Sequence, residues 1–173
     1  MKYLELESTT TGIAGDIIEI KENAPGLNIL FETYSLKMTR QERKTSRSGK
    51  YKSLSLMVTA ALNLLFVDYD VRITYKDLKI ISKEECKADL TNKLFTIGLT
   101  KSYQEMAGWV ESVFRTIQEC AGSDADIIKV ETRKGPFAQC HWSECLAVHG
   151  RSLKRVVLFV VLYSNHLNSP ILL

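Results

Sequence analysis

The chain has 173 residues, 45% hydrophobic and 25% charged, with a net charge of +3. That composition matches one ordinary globular domain and excludes a low-complexity or disordered chain. The net charge excludes a uniformly basic surface, so any polyanion contact must be local.

The N-terminal run Met1-Lys-Tyr-Leu-Glu-Leu-Glu lacks the apolar segment and cleavage site of a signal peptide. Ile13 to Ile20 reads as a short strand after Gly12. Ala24-Pro-Gly26 marks a turn. From Leu30 the pattern alternates, with Leu30, Tyr34, Leu36 and Met38 on one face, which predicts a half-buried strand.

The next stretch carries the main charge signal. Lys37, Arg40, Arg43, Lys44, Arg47, Lys50 and Lys52 fall within sixteen positions, opposed only by Glu42. This segment carries +6, so the remainder of the chain sums to −3. Serines, threonines and Gly49 surround the charges, and they predict a basic flexible loop at about 37–52. Charge runs are often only solvated surface. Two features raise this one above that reading. Tyr51 stands between Lys50 and Lys52, where an aromatic ring can stack on a base or sit among lipid headgroups. A helix entered at Ser53 follows directly, and its N–H groups attract phosphate. These eight residues, Tyr51 included, form the candidate site for a membrane or RNA polyanion. Arg151, Lys154 and Arg155, with Arg133 and Lys134, would widen it if the fold brought them alongside.

Leu54, Met57, Ala61, Leu64 and Leu65 make a helical stripe. The apolar stretch from Leu54 to Val67 has fourteen residues and contains Ser55, Thr59 and Asn63. Crossing a bilayer takes about 20 apolar residues, so membrane contact is expected to be peripheral only. Val71, Ile73 and Tyr75 alternate with Arg72, Thr74 and Lys76, which predicts a strand. Ser82 to Glu85 is a short helical turn or a loop, and Leu90 to Leu99 a further strand closed by Gly98. Ser102-Tyr-Gln-Glu105 is a capping box. Met106, Val110, Val113, Phe114 and Ile117 follow it as one helical face, ended by Gly122. Asp126 to Thr132 predicts a strand, and Val156 to Tyr163 a central strand covered on both faces. The last seven residues read as frayed or draped on the surface. The result is an α+β fold: a single domain with an antiparallel β-sheet packed against two or more helices.

No phosphate-loop, dinucleotide, nucleophile-elbow or zinc-protease motif is present. The three histidines are His141, His149 and His166. Cys140, His141, Cys145 and His149 lie within ten residues. On a helix, His141, Cys145 and His149 would share a face, and thiolate with imidazole is zinc chemistry. A structural zinc site usually joins two ligand clusters, and no second one exists here. No metal or other cofactor is therefore expected, and these four are only candidates. The simpler reading is a helix with a buried Cys145. With no sign of secretion, Cys86, Cys120, Cys140 and Cys145 are expected as free thiols. Trp109 and Trp142 read as core or rim residues.

The segment Phe31 to Ile81 resembles the matrix proteins of rhabdoviruses. The resemblance rests on a strand bearing Phe31 and ending in Lys37-Met38-Thr39, then a polar basic stretch. A helix entered at Ser53 with Ala60-Ala61 follows, then a strand with Tyr75-Lys76 before Leu78, Ile80 and Ile81. The compact length is most similar to plant-infecting members of the lettuce necrotic yellows virus type. The long Lys-rich N-terminus and the Pro-Pro-x-Tyr budding motif of animal-virus relatives are missing.

The resemblance implies a non-enzymatic protein that self-associates into open oligomers, condenses the viral nucleocapsid and links it to the envelope during budding. Its partners would be itself, the nucleocapsid, an anionic membrane surface and the viral glycoprotein tail. Its place would be beneath the virion envelope and on the cytoplasmic face of host membranes. The alternative is a nucleic-acid-binding regulator, such as a viral RNA-binding suppressor, using the same basic loop. An enzyme comes third, resting on the Cys140 to His149 cluster alone.

Overall fold

The computed structural model describes residues 2–4, 13–20, 24, 26–36, 50–97 and 102–164, with the backbone alone for residue 2 and residues 50–53. Its centre is an antiparallel sheet whose middle strand is β6 (Arg155–Tyr163). That strand is the continuous apolar run Val-Val-Leu-Phe-Val-Val-Leu, and every residue from Val156 to Leu162 is buried. A strand apolar on both sides needs cover on both sides, and the sheet has it. On one side of β6 lies β2 (Leu27–Ser35), paired from Leu27↔Tyr163 to Ser35↔Arg155. On the other lies β5 (Trp142–Gly150), paired from Trp142↔Tyr163 to Gly150↔Arg155. Beyond β2 sits the short β1 (Lys2–Tyr3), and beyond β5 sit β4 (Asp126–Val130) and β3 (Leu78–Ile80). The α+β class and antiparallel sheet read from the sequence hold.

Strand alternation divides the core in two. One face carries Leu27, Ile29, Leu146, Val148, Val157, Phe159 and Val161. It is covered by α1 (13–20), α3 (Lys83–Thr96) and α4 (Tyr103–Ala121). The other face carries Cys145, Ala147, Val156, Leu158, Val160 and Leu162, and α2 (Lys50–Leu65) covers it.

The serine half of the capping box expected at Ser102 is present: Glu105 N–H donates to Ser102 Oγ at 3.2 Å, and the Ser102 hydroxyl donates to the Glu105 carboxylate at 2.8 Å. The helix behind it buries Met106, Val110, Val113, Phe114 and Ile117, and Gly122 caps its end.

Five local readings are corrected. The segment 13–20 is helical, because Ile13, Ile17 and Ile20 recur at steps of four and three and turn together onto the core. Ser82 is the N-cap of a fourteen-residue helix, its Oγ accepting Glu85 N–H at 3.1 Å. Leu90 and Leu94 belong to that helix, one turn apart and fully buried, so no strand forms at Leu90. Helix α2 begins at Lys50, three residues before Ser53.

The fifth correction concerns Val71 to Lys76. Val71 and Ile73 are buried as alternation predicts, but the segment joins no strand. Its backbone is satisfied by side chains of α2. Val71 N–H donates to Asn63 Oδ1 at 2.8 Å, and Ile73 N–H to Thr59 Oγ1 at 3.0 Å. A 3₁₀ turn at Tyr75–Asp77 then leads into β3. Most of the basic loop, Lys37 to Gly49, and the C-terminal residues 165–173 lie outside the described residues.

Candidate functional site: a buried ion cluster and the cleft beside it

Glu144 is the most unusual residue in the sheet. It sits on β5, with its side chain only 1% exposed. A buried carboxylate requires compensation by charge and hydrogen bonds. Helix α3 supplies Lys93, whose Nζ lies 2.5 Å from Glu144 Oε2. Strand β4 supplies Lys129, whose Nζ lies 3.2 Å from Glu144 Oε1, a charge contact without hydrogen-bond alignment. Asp89, one turn before Lys93, closes the ring at 3.0 Å from Lys93 and 2.5 Å from Lys129. Two cations and two anions thus join one helix to two strands.

The ring sets its members' protonation. Burial alone would raise the Asp89 carboxyl, but hydrogen bonds from Lys129 and Lys93 outweigh it and hold Asp89 below its ordinary range. Burial alone would lower Lys129, but the hydrogen bond to Asp89 and the charge of Glu144 raise it instead. Beside the ring, burial and the Glu144 charge push the Cys86 thiol up to about 12. All four groups are spent on each other, so the cluster fixes α3 against the sheet.

Next to it the sheet splits. The β4–β5 ladder stops at Lys129↔Leu146, although β5 continues back to Trp142. After Val130 the chain turns away, and Glu131 N–H donates to Asp77 O at 2.8 Å. The 3₁₀ turn Gly135–Gln139 then brings Phe137 beneath the gap, edge-on to Phe66 of the chain leaving α2. A cleft of about 410 Å³ results, with Thr132, Arg133, His141 and Ser143 among its polar walls. It offers a guanidinium, an imidazole and two hydroxyls to a small polar group.

The residues expected from sequence to act together are dispersed. Lys37, Arg40, Arg43, Lys44 and Arg47 lie outside the described residues, as do the side chains of Lys50, Tyr51 and Lys52 in the first turn of α2. The extra basic residues occupy opposite ends of the sheet. Arg151, Lys154 and Arg155 lie at the β5–β6 turn, where Leu36 N–H, just before the loop, donates to Lys154 O. Arg133 and Lys134 follow β4 at the far end, so they cannot widen the same patch. Arg151 is held by two contacts to Asp126, the shorter 2.6 Å, and Arg155 donates to Cys120 O at 3.2 Å.

The Cys140 to His149 segment is not a helix. His141 precedes β5, and Cys145 and His149 lie along it. Four residues of strand span about 13 Å, too far for one metal ion. Cys145 is buried, which raises its thiol, and Cys140 Sγ donates to Pro136 O at 3.3 Å. Among the described residues no three His, Cys, Asp or Glu side chains converge to hold a metal.

Sequence reasoning missed the ion cluster, although one signal was available. Glu144 interrupts an otherwise apolar inner face of β5, and Asp89 and Lys93 have the i, i+4 spacing of a helical ion pair.

No protein-family model matches the chain. Two uncharacterized proteins of Encephalitozoon cuniculi (strain GB-M1) are each 27% identical to it over 163 residues, covering 91% of this chain and 95% of their own. Among solved structures, citrus MAF1 in one crystal form superposes with a TM-score of 0.65 at 19% identity, covering 89% of this chain and 99% of MAF1. A second crystal form gives 0.63 at 18% identity, covering 87% and 98%. The chain therefore has the MAF1 fold.

This overturns the rhabdovirus matrix reading, and with it the nucleocapsid-condensing, budding function. The matching words covered about a third of the chain, and two do not have the structure they implied. Tyr75-Lys76 lies in a 3₁₀ turn, not a strand, and the helix does not begin at Ser53. What remained was a strand, a polar stretch and an apolar helix, an order that many α+β proteins share.

Proposed function

We propose that this chain is a eukaryotic regulatory protein of the MAF1 kind, which acts by binding a macromolecular partner and not by catalysis. The observation that carries this reading is the superposition on citrus MAF1, which accounts for nearly all of that chain. MAF1 is a regulatory protein. The chemistry agrees. Asp89 and Lys129, whose charged forms the fold favours, neutralise each other around Glu144, and burial raises the Cys86 and Cys145 thiols away from the reactive thiolate. The +6 stretch from Lys37 to Lys52 gives such a regulator a contact for an acidic or nucleic-acid surface.

Complementation tests the proposal. Expressed in citrus cells depleted of MAF1, this chain should restore the MAF1-dependent phenotype. A variant with Arg43, Lys44 and Arg47 changed to Glu should fold normally and restore less. Failure of the folded wild-type chain to restore anything would sink the reading. Full rescue by the charge-reversed variant would remove the basic stretch from it.

A further inference from the structure

Helix α2 lies on the outside of the sheet, yet it is apolar on both sides. No charged residue occurs from Ser53 to Val67. Leu54, Met57, Val58, Ala61 and Leu62 face the sheet and are buried. The opposite side carries Leu56, Ala60 and Leu64, and Val67 stands in the turn just past its end, with Leu56 55%, Leu64 48% and Val67 78% exposed. A surface helix normally turns charged residues to water, and a helix that is hydrophobic all round is normally buried. Thr59 and Asn63 do not supply an outer polar face, because they bind Ile73 and Val71. The apolar stripe of α2 thus lacks the features of a solvated surface.

We infer that the outer face of α2 is the contact of a closed two-fold dimer, with the α2 helices of two copies packed antiparallel across Ala60.

Three observations select a second copy as the occupant. The first is symmetry. A two-fold contact must be self-complementary, and Leu56 and Leu64 stand four residues on either side of Ala60. Antiparallel pairing about Ala60 therefore sets Leu56 against Leu64 of the other copy, in both directions.

The second is size. Ala60 lies at the crossing point, where a small side chain permits close approach of the two axes.

The third is charge. Lys50 and Lys52 stand in the first turn of α2, and no acidic residue is there. The exposed Asp68 follows its last turn, which has no basic residue. Both charges oppose the dipole of their own helix. In the antiparallel pair, the basic end of each helix meets the acidic end of the other, and both conflicts are relieved. This contact closes on itself, unlike the open assemblies that the matrix resemblance implied.

The full-length protein tests this directly by sedimentation equilibrium over a concentration series. Wild type should form a monomer–dimer equilibrium with no larger species. Leu64→Glu, an exposed position, should keep its circular dichroism spectrum and thermal transition and become monomeric. Adding Leu56→Lys to that variant should restore the dimer, since each new lysine then faces a new glutamate. Register is read separately, by oxidising cysteine variants beside wild type. Ala60→Cys should cross-link to itself, whereas Leu56→Cys should not, because the two-fold sets those positions about 12 Å apart along the pair. A strict monomer at high micromolar concentration overturns the proposal. So does a dimer that survives Leu64→Glu, or an Ala60→Cys variant that fails to cross-link.

Discussion

Lys93 reaches from the third turn of α3 to Glu144 on β5, with Nζ and Oε2 2.5 Å apart across 51 residues of sequence. This pair, with Asp89 and Lys129, is the main polar tie between the helical layer and the sheet. Its members are mutually dependent, because Glu144 is buried and cannot turn to water.

Removing one member should therefore cost more than removing all four. Glu144→Ala leaves two lysines facing one aspartate in a partly buried site. The expected loss is about 3 kcal/mol. Replacing Asp89, Lys93, Lys129 and Glu144 together with apolar residues of similar volume should recover most of it. Urea denaturation of both variants checks this. A loss under about 1 kcal/mol for Glu144→Ala would mean that the ring contributes little.

Stability should fall on both sides of a neutral plateau. On the alkaline side, Cys86 ionises near pH 8.5 when unfolded but at about 12 when folded. Its contribution is complete below pH 8.5 and is lost as pH rises towards 12. Lys129, raised in the fold, acts in the same direction above its ordinary value of about 10.4. On the acid side, Asp89 is held below its ordinary value of about 3.9, so its contribution is present above that pH and is lost below it. Urea midpoints against pH should show this shape, and Cys86→Ala should flatten the alkaline limb. Midpoints that rise from pH 8 to 10 would contradict it.

Gly150 should tolerate no side chain. A Cβ there would lie 1.8 Å from Ala121 O and 2.7 Å from its carbonyl carbon. Both are backbone atoms at the end of α4 and cannot swing aside. Gly150→Ala should cost about 2 kcal/mol or more, because the helix end or the hairpin must shift. Gly15→Ala, where nothing lies within 4 Å of the added carbon, is the control and should be neutral or stabilising. Thermal melts of both variants decide the point.

Asn63→Ala should cost about 1 to 2 kcal/mol, because it strands the part-buried Val71 N–H. The β-sheet should be unaffected, since Val71 belongs to no ladder. Chemical denaturation gives the first figure. Amide exchange should show faster exchange at Val71 with the β5–β6 ladder unchanged; faster exchange across that ladder would mean that the segment supports the sheet.

The sequence by itself determined the elements whose pattern is local and complete. The central strand at Val156 to Tyr163 was legible because seven consecutive apolar residues fit a strand covered on both faces. The helix after Ser102 was legible because its cap, apolar stripe and terminal Gly122 agree. The α+β class followed from these. Only the tertiary structure decided the rest. Val71 to Lys76 alternates like a strand, but alternation reports one buried face, not where backbone hydrogen bonds go, and here they go to Thr59 and Asn63. The segments at 13–20 and 83–96 were misread because short apolar runs fit either period until a packing partner selects one. The four cysteine and histidine residues were close in sequence but not in space, since a strand spreads what a helix would gather. The ion cluster is the reverse case: Asp89, Lys93, Lys129 and Glu144 span 56 positions. Burial is what makes their charges matter, and no stretch of sequence states which carboxylate the fold will take out of water.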